Sequence, residues 1–323
     1  MTVLNVGVLG CADIAQRNTI PALLADPSVR LVAVASRHAE KAEAVARRFG
    51  VEPVTGYAAL LDRVDIDAVY VPLPPALHAE WVAKALAAGK HVLAEKPLAT
   101  SLAEAADLVA AARAGNRLLM ENFAFLHHRQ HAEVQRLLAA GVVGEPRSLT
   151  AEFGFPPLNP ADIRYQPALG GGALLDAGVY TLRAASLFLG PQLRVEGSVL
   201  REDTSSGVDI GGGALVSAPD GRTGHLEFGF DRAYRCTYTI WGSEGTVSLE
   251  RAFSTPATLR PVLRIRRQDH AEERTLQADD QFARIVAVFA RTVLEGGDFT
   301  AAGEDVLRQA ELVDGVRSRA RQV

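Results

Sequence analysis

Between Leu4 and Asn122, short runs rich in β-branched residues alternate with Ala-rich stretches of helical length. The pattern predicts strands over residues 4–9, 29–35, 67–71, 91–94 and 118–122, and helices over 15–25, 39–49, 76–88 and 102–114. Strands separated by single helices of this length join one sheet through right-handed crossovers, so they run parallel and both faces of the sheet are covered. The expected first domain, residues 1–122, is therefore an α/β, doubly wound parallel sheet.

After Asn122 the texture changes. Beyond a helix near 132–140, period-two alternation predicts strands over 147–155, 193–201, 211–217, 223–230, 235–241 and 245–250. Turn signals such as Pro219-Asp220-Gly221-Arg222 and Gly242-Ser243-Glu244-Gly245 separate them. Alternating strands joined by short turns imply a large, open, mostly antiparallel sheet with one face covered, and helices over 281–295 and 303–321 flank it. A chain of 323 residues suits two cores rather than one. Residues 123–323 are read as an α+β domain for substrate binding and oligomer contacts.

With 38 Asp and Glu against 34 Lys and Arg, the net charge is −4. A nucleic-acid groove or an anionic membrane surface needs a basic patch that this balance does not favour, so a small molecule is the expected partner. The two cysteines, Cys11 and Cys236, show no metal-ligand spacing and read as small buried thiols; no metal is expected. The sequence enters a strand-like run at once, without a basic leader, and no apolar run approaches the roughly 18–20 residues that span a bilayer. A cytoplasmic location is the expectation.

The turn after the first strand, Gly10-Cys11-Ala12-Asp13-Ile14-Ala15, stands where a dinucleotide-binding GxGxxG turn would stand, with alanine at the second and third glycine positions. Gly10 allows the tight turn, and the helix N-terminus behind it offers unpaired N–H groups to a pyrophosphate. Ala15 still permits close helix packing, whereas Ala12 adds a methyl where the backbone should approach the phosphates. The succession of βα units that follows carries the assignment. At the end of the second strand an NAD enzyme usually presents an acidic residue to the ribose 2′-hydroxyl; here Ser36-Arg37 stands instead. A hydroxyl and a guanidinium suit a 2′-phosphate, so NADP(H) is the expected cofactor. The loop Val71-Pro72-Leu73-Pro74-Pro75 lies at the carboxyl edge of the sheet, and Leu73 and His78 are cofactor candidates by position.

The strand over 91–94 ends in Glu95-Lys96-Pro97, and further on the chain reads Gly170-Gly171-Gly172-Ala173-Leu174-Leu175-Asp176-Ala177-Gly178-Val179-Tyr180. These motifs resemble the E-K-P and GGGxLxDxGxH signatures of the glucose-fructose oxidoreductase, inositol dehydrogenase and rhizopine catabolism (Gfo/Idh/MocA) family, over nearly the whole chain. The resemblance implies a Rossmann first domain, a catalytic Lys96 that reaches the reacting carbon, and a cis Lys96–Pro97 bond. It also implies that Tyr57, Glu95, Pro97 and Asn122 border the cofactor. The chemistry agrees independently: hydride addition to a ketone leaves an alkoxide, and a lysine ammonium, with an ordinary pKa of about 10.4, both stabilises and protonates it. Tyr180 replaces the family's histidine, and a phenol that keeps its proton at neutral pH favours reduction over oxidation. Asp176, one helical turn before Tyr180, shares its face and is expected to contact the nicotinamide ribose or the substrate.

Residues 120–128, Met-Glu-Asn-Phe-Ala-Phe-Leu-His-His, resemble the sugar-nucleotide 3-ketoreductases of deoxysugar biosynthesis. That likeness implies NADPH-dependent reduction of the C3 ketone of a dTDP-linked 4-keto-2,6-dideoxyhexose, with Phe123 and His127 near the substrate. A nucleotide sugar needs a cation and an aromatic: Arg164 is the candidate for a phosphate of substrate or cofactor, and Tyr165 and Tyr234 for the base or sugar. Arg264-Ile265-Arg266-Arg267 reads as a solvated strand face. Two other readings stay open. One is a sugar, cyclitol or dihydrodiol dehydrogenase running toward oxidation; the other is a non-catalytic NADP-binding regulator, against which the intact Lys96 and Asp176 count. An open sheet face is an expected homodimer or homotetramer contact.

Overall fold

Six short strands, β1 (Leu4–Leu9), β2 (Val29–Ser36), β3 (Glu52–Thr55), β4 (Ala68–Val71), β5 (His91–Ala94) and β6 (Leu119–Glu121), pair side by side in the order β3-β2-β1-β4-β5-β6. Every pairing is parallel. All four side chains of β4 are buried, which is why its sequence is continuously apolar rather than alternating. The connecting helices are α1 (Ile20–Ala25), α2 (Ala39–Phe49), α3 (Tyr57–Leu61), α4 (His78–Ala87) and α5 (Leu102–Ala114). The strand order reverses direction between β1 and β4, and ligands bind at the carboxyl ends of the strands flanking such a switch.

The second sheet begins after α6 (Arg129–Ala139) and holds β7 (Pro146–Gly154) and, beyond α7 (Val179–Leu189), β8 (Arg194–Asp203), β9 (Val208–Ser217), β10 (Thr223–Gly229), β11 (Arg235–Gly242), β12 (Thr246–Glu250), β13 (Val262–Arg267) and β14 (His270–Thr275). Two helices follow, α8 (Gln281–Glu295) and α9 (Thr300–Arg319), and β15 (Ala320–Gln322) ends the chain. The nine strands lie in the order β14-β13-β12-β11-β7-β10-β9-β8-β15. Most neighbours are antiparallel, but β10 pairs β7 and β15 pairs β8 in parallel. Leu149, Ala151, Leu226, Phe228, Tyr238 and Ile240 are buried, while the alternate positions Glu227, Arg235 and Trp241 are exposed.

The computed structural model describes residues 2–323. They divide into two units: the chain up to Ala124 together with Phe282–Leu307, and Phe125–Gln281 together with Arg308–Val323. The expected boundary after Asn122 lies within two residues of the first break, but the continuous 123–323 domain does not hold. Ile285, Val286, Phe289 and Ala290 of α8 are buried in the same core as Leu4, Val6, Leu23 and Leu118. The edge strand β3 was absent from the expectation because Glu52 and Pro53 are exposed and give no apolar alternation. One stretch, Pro167–Leu189, is long and apolar enough to cross a membrane by composition, contrary to expectation; 72% of its apolar window is buried inside the fold, as suits a core helix.

The contribution of α8 to the first core is testable. Phe289→Ala should destabilise the first unit by about 3–5 kcal/mol, as for a large buried side chain replaced by a cavity, with the loss read from urea unfolding. A change under about 0.5 kcal/mol would show that α8 is not integral to that core.

Candidate active site

In the first unit, Gly10 closes β1 at φ +134°, and a Cβ there would lie 3.0 Å from Leu73 Cδ2. The close approach of the two loops at the switch point therefore requires glycine. Behind it, Ala15 is fully buried, and the chain makes one wide, π-type turn over Ala15–Thr19 before α1 begins. Cys11 is buried with its Sγ 3.8 Å from the Ala35 carbonyl, and burial pushes its thiol pKa up. Ala12 and Ile14 are half-buried, while Asp13 is exposed and pairs with Arg17 at 2.5 Å.

At the end of β2, Ser36 is buried and its Oγ accepts from the His38 N–H at 3.2 Å, just ahead of α2. Arg37 is exposed, and its charge opposes the rise that burial gives the pKa of the Tyr57 phenol, whose ring packs edge-on against Trp81 at 5.0 Å. A glycine turn that no side chain can fill, followed by a hydroxyl and an exposed guanidinium at the next strand end, fits a phosphorylated dinucleotide.

The Glu95-Lys96-Pro97 segment follows β5, and the Lys96–Pro97 peptide is cis. Tyr70, fully buried on β4, donates to Glu95 Oε1 at 2.6 Å, and Asn122 Nδ2 donates to the same oxygen at 2.5 Å. Thr19 Oγ1 in turn donates to the Tyr70 hydroxyl at 3.1 Å. Desolvation raises the Glu95 pKa, opposed by the Tyr70 hydroxyl, the Lys96 charge and the Asn122 amide. Tyr70 and Thr19 were not found from sequence, although a tyrosine inside a buried strand signals that its hydroxyl has a partner.

His78, expected at the cofactor, is fully buried, its Nδ1 2.8 Å from the Pro97 carbonyl and its Nε2 2.8 Å from the Leu73 carbonyl; burial lowers its pKa, and the neutral ring donates its one N–H to one of the two. The ring joins the loop after β4 to the loop after β5. Phe123, expected beside the substrate, is 2% exposed and offers no ring face to a ligand.

In the second unit, the glycine run bends back on Arg164. The Gly172 N–H donates to the Arg164 carbonyl at 2.9 Å, and a Cβ on Gly171 would lie 2.6 Å from that oxygen. The Arg164 side chain turns to the next motif residue, its Nε donating to Asp176 Oδ2 at 2.7 Å and its Nη1 to Asp162 Oδ1 at 3.2 Å. The guanidinium expected to meet a phosphate is thus committed in part to two carboxylates. Tyr180 is walled by three rings, Phe153 at 5.2 Å edge-on, Phe125 at 5.7 Å and Phe253 at 5.9 Å. His127 is half-buried, and desolvation, then the Arg183 charge, brings its pKa down to about 4, so it is neutral at physiological pH.

The remaining aromatic candidates have structural partners. The Tyr165 hydroxyl accepts from the Leu158 N–H at 3.1 Å and its ring meets Phe230 edge-on at 5.9 Å. Tyr234 is 43% exposed, its hydroxyl 2.9 Å from Ser254 Oγ and the Arg251 guanidinium 4.4 Å from its ring centre. Ser254 follows Phe253, one of the three rings around Tyr180.

The Glu95 network has a signed consequence. Because its folded pKa lies above the ordinary value of 4.5, ionising Glu95 lowers stability as pH rises through the folded pKa. Removing a donor enlarges that cost. Tyr70→Phe should therefore destabilise the protein by about 1–3 kcal/mol at pH 7 and by clearly less at pH 4, where the carboxyl is largely protonated in both states. Urea midpoints at the two pH values measure the difference, and equal losses would contradict the network.

Residues 4–123 match the family described as an oxidoreductase family with an NAD-binding Rossmann fold, and residues 131–248 match the Gfo/Idh/MocA C-terminal domain. The chain is 53% identical over 320 residues to a dTDP-3,4-didehydro-2,6-dideoxy-alpha-D-glucose 3-reductase of Actinomadura kijaniata, covering 99% of this chain and 96% of that protein. A protein of the same name from Streptomyces violaceoruber is 52% identical over 331 residues, with 99% and 96% covered. The crystal structure of KijD10, a 3-ketoreductase from Actinomadura kijaniata in complex with NADP and TDP-benzene, superimposes with a TM-score of 0.97 at 53% identity, covering 100% of this chain and 99% of that one. A D-xylose 1-dehydrogenase (NADP(+)) of Haloferax volcanii is more distant, at 33% identity with 97% of this chain and 96% of that protein covered. With both halves matched by its domains, the chain belongs to the Gfo/Idh/MocA oxidoreductase family.

Proposed function

We propose that the protein reduces the C3 ketone of a dTDP-linked 3,4-diketo-2,6-dideoxyhexose with NADPH. The observation that carries the direction of reaction is Tyr180: a phenol walled by three aromatic rings stands where oxidation would call for a base. Identity above one half to 3-reductases over 99% of the chain supports the substrate. The NADP-bound relative, together with Ser36 and Arg37 in place of an acidic residue after β2, supports the cofactor.

NADPH, when bound, supplies the hydride that adds to C3. The electron pair of the carbonyl then resides on oxygen, and the Lys96 ammonium stabilises that charge and gives it a proton, leaving a neutral amine that solvent reprotonates. Glu95, one residue before, is held by Tyr70 and Asn122 and so fixes the backbone from which Lys96 projects. Tyr180 donates a hydrogen bond to the same oxygen and orients the ketone. Asp176, gripped by Arg164, holds the ribose or sugar hydroxyls. The Arg37 guanidinium forks to the 2′-phosphate and Ser36 helps to bind it. A cytoplasmic location belongs to the proposal, as does assembly into a homodimer or homotetramer through the open face of the nine-stranded sheet, where Trp241 is 65% and Leu215 39% exposed.

Lys96→Ala should lower turnover by about 10²–10⁴, the range of lost acid–base catalysis, while NADPH affinity changes less than threefold; turnover at the wild-type rate would sink the assignment. Arg37→Ala should lower kcat/KM for NADPH by about 10–100-fold, the value of a charge-assisted hydrogen bond, and leave NADH nearly unaffected. An unchanged preference between the two cofactors would remove Arg37 from the 2′-phosphate site.

A further inference from the structure

Asp209 lies on β9, outside every sequence motif, and its carboxylate sits where a side chain of residue 172 would be. A Cβ built on Gly172 would fall 2.3 Å from Asp209 Oδ1 and 3.2 Å from its Cγ. Gly172 also has φ +117°, so the position is closed to L side chains by conformation and by space. Asp209 Oδ2 accepts from the Leu174 N–H at 2.6 Å, and the backbone of Ala173 also favours the charged carboxylate. These two residues begin the helical segment that carries Asp176 and Tyr180.

The first N–H groups of a helix have no partner within it, and a carboxylate there meets both their hydrogen bonds and the positive end of the dipole. An ordinary cap comes from the residue just before the helix; this one comes from a strand 35 residues later. The segment opens with a wide, π-type turn over Leu174–Gly178 before α7. Such turns are rare and less favourable than α-helix, so the local chain needs an outside hold. Gly178 packs closely on the sheet, a Cβ there lying 3.1 Å from the Phe228 ring, and Gln309 Nε2 donates to the Val179 carbonyl at 2.9 Å. Asp209 secures the start of the turn. Desolvation pushes its pKa up, while the Leu174 N–H and the Arg317 charge pull it back.

We propose that Asp209 is a positioning residue for the reduction: its carboxylate fixes the first turn of this segment and so sets the placement of Asp176 and Tyr180. The proposal rests on the reading of Tyr180 given above, and the same experiment separates the two. kcat and KM for the nucleotide-linked diketone, with melting temperature, are measured for Asp209→Ala, Asp209→Asn, Tyr180→Phe and the double variant Asp209→Ala/Tyr180→Phe, well below each melting temperature. Asp209→Ala should lose at least tenfold in kcat with KM changed less than threefold, and Asp209→Asn, whose amide oxygen accepts one N–H, should recover most of the loss. Tyr180→Phe should cost little more once Asp209 is gone, because residues acting as a unit are not additive. Wild-type kcat in Asp209→Ala, no recovery in Asp209→Asn, or losses that multiply in the double variant would overturn it. Full turnover in Tyr180→Phe alone would instead sink the role of Tyr180, and Asp209→Ala against Asp209→Asn then decides the role of Asp209 through Asp176. If Asp209→Ala does not accumulate as folded protein, Asp209→Ser, whose shorter side chain withdraws the carboxylate from the Leu174 N–H, carries the same expectations.

Discussion

A carboxylate withdrawn from water at the end of a parallel strand persists only if donors are aimed at it, because desolving a charge without partners costs several kcal/mol. Glu95 has those donors: Tyr70 from β4 and Asn122 from the end of β6 meet on one oxygen, and Thr19 completes the Tyr70 hydroxyl. The network ties three neighbouring strands to the wide turn behind Gly10. Lys96 follows directly, so the backbone that carries it is fixed by the groups that hold Glu95. His78 braces the other side of the same segment through the Pro97 and Leu73 carbonyls.

The second unit uses the same physics with other residues. Loops without regular backbone pairing cannot be fixed by apolar packing alone, and here charged groups fix them. Arg164 gives its backbone carbonyl to Gly172 and its side chain to Asp176, so one residue sets both the glycine run and the acid that follows. Asp209 fills the space that Gly172 leaves empty. Tyr180 then stands between three phenylalanine rings on a helical segment held at its start, at Gly178 and at Val179.

Much of this was legible in the sequence where the signal is local. The alternation of β-branched and Ala-rich runs gave the parallel sheet, and Glu95-Lys96-Pro97 and the Gly170-Gly171-Gly172 run each marked a segment that its own unit holds tightly. What escaped depends on partners distant in the chain. Periodicity shows that α8 has an apolar face but not which core receives it, so Ile285 and Phe289 were placed in the wrong unit. A histidine opening a helix gives no sign that two carbonyls converge on it, and Asp209 in Val208-Asp209-Ile210 looks like any polar residue in a strand. The β7–β10 parallel pairing and the terminal β15 likewise arise from tertiary packing, since Ala320-Arg321-Gln322 has no strand signature of its own. Arg164 was read as a candidate phosphate contact, and its bond to Asp176 was not foreseen because the two lie a loop apart in the chain.

The central claim is that hydride reaches C3 of a nucleotide-linked sugar, and isotope transfer tests it most directly. The protein would be incubated with NADPH carrying deuterium at the transferable nicotinamide position and a freshly generated dTDP-3,4-diketo-2,6-dideoxyhexose, and the product examined by mass spectrometry and proton NMR. One deuterium at C3 of a product still linked to its nucleotide is the predicted result. Label at C4, no label with NADPH unconsumed, or turnover only of free polyols with NADP⁺ would contradict it.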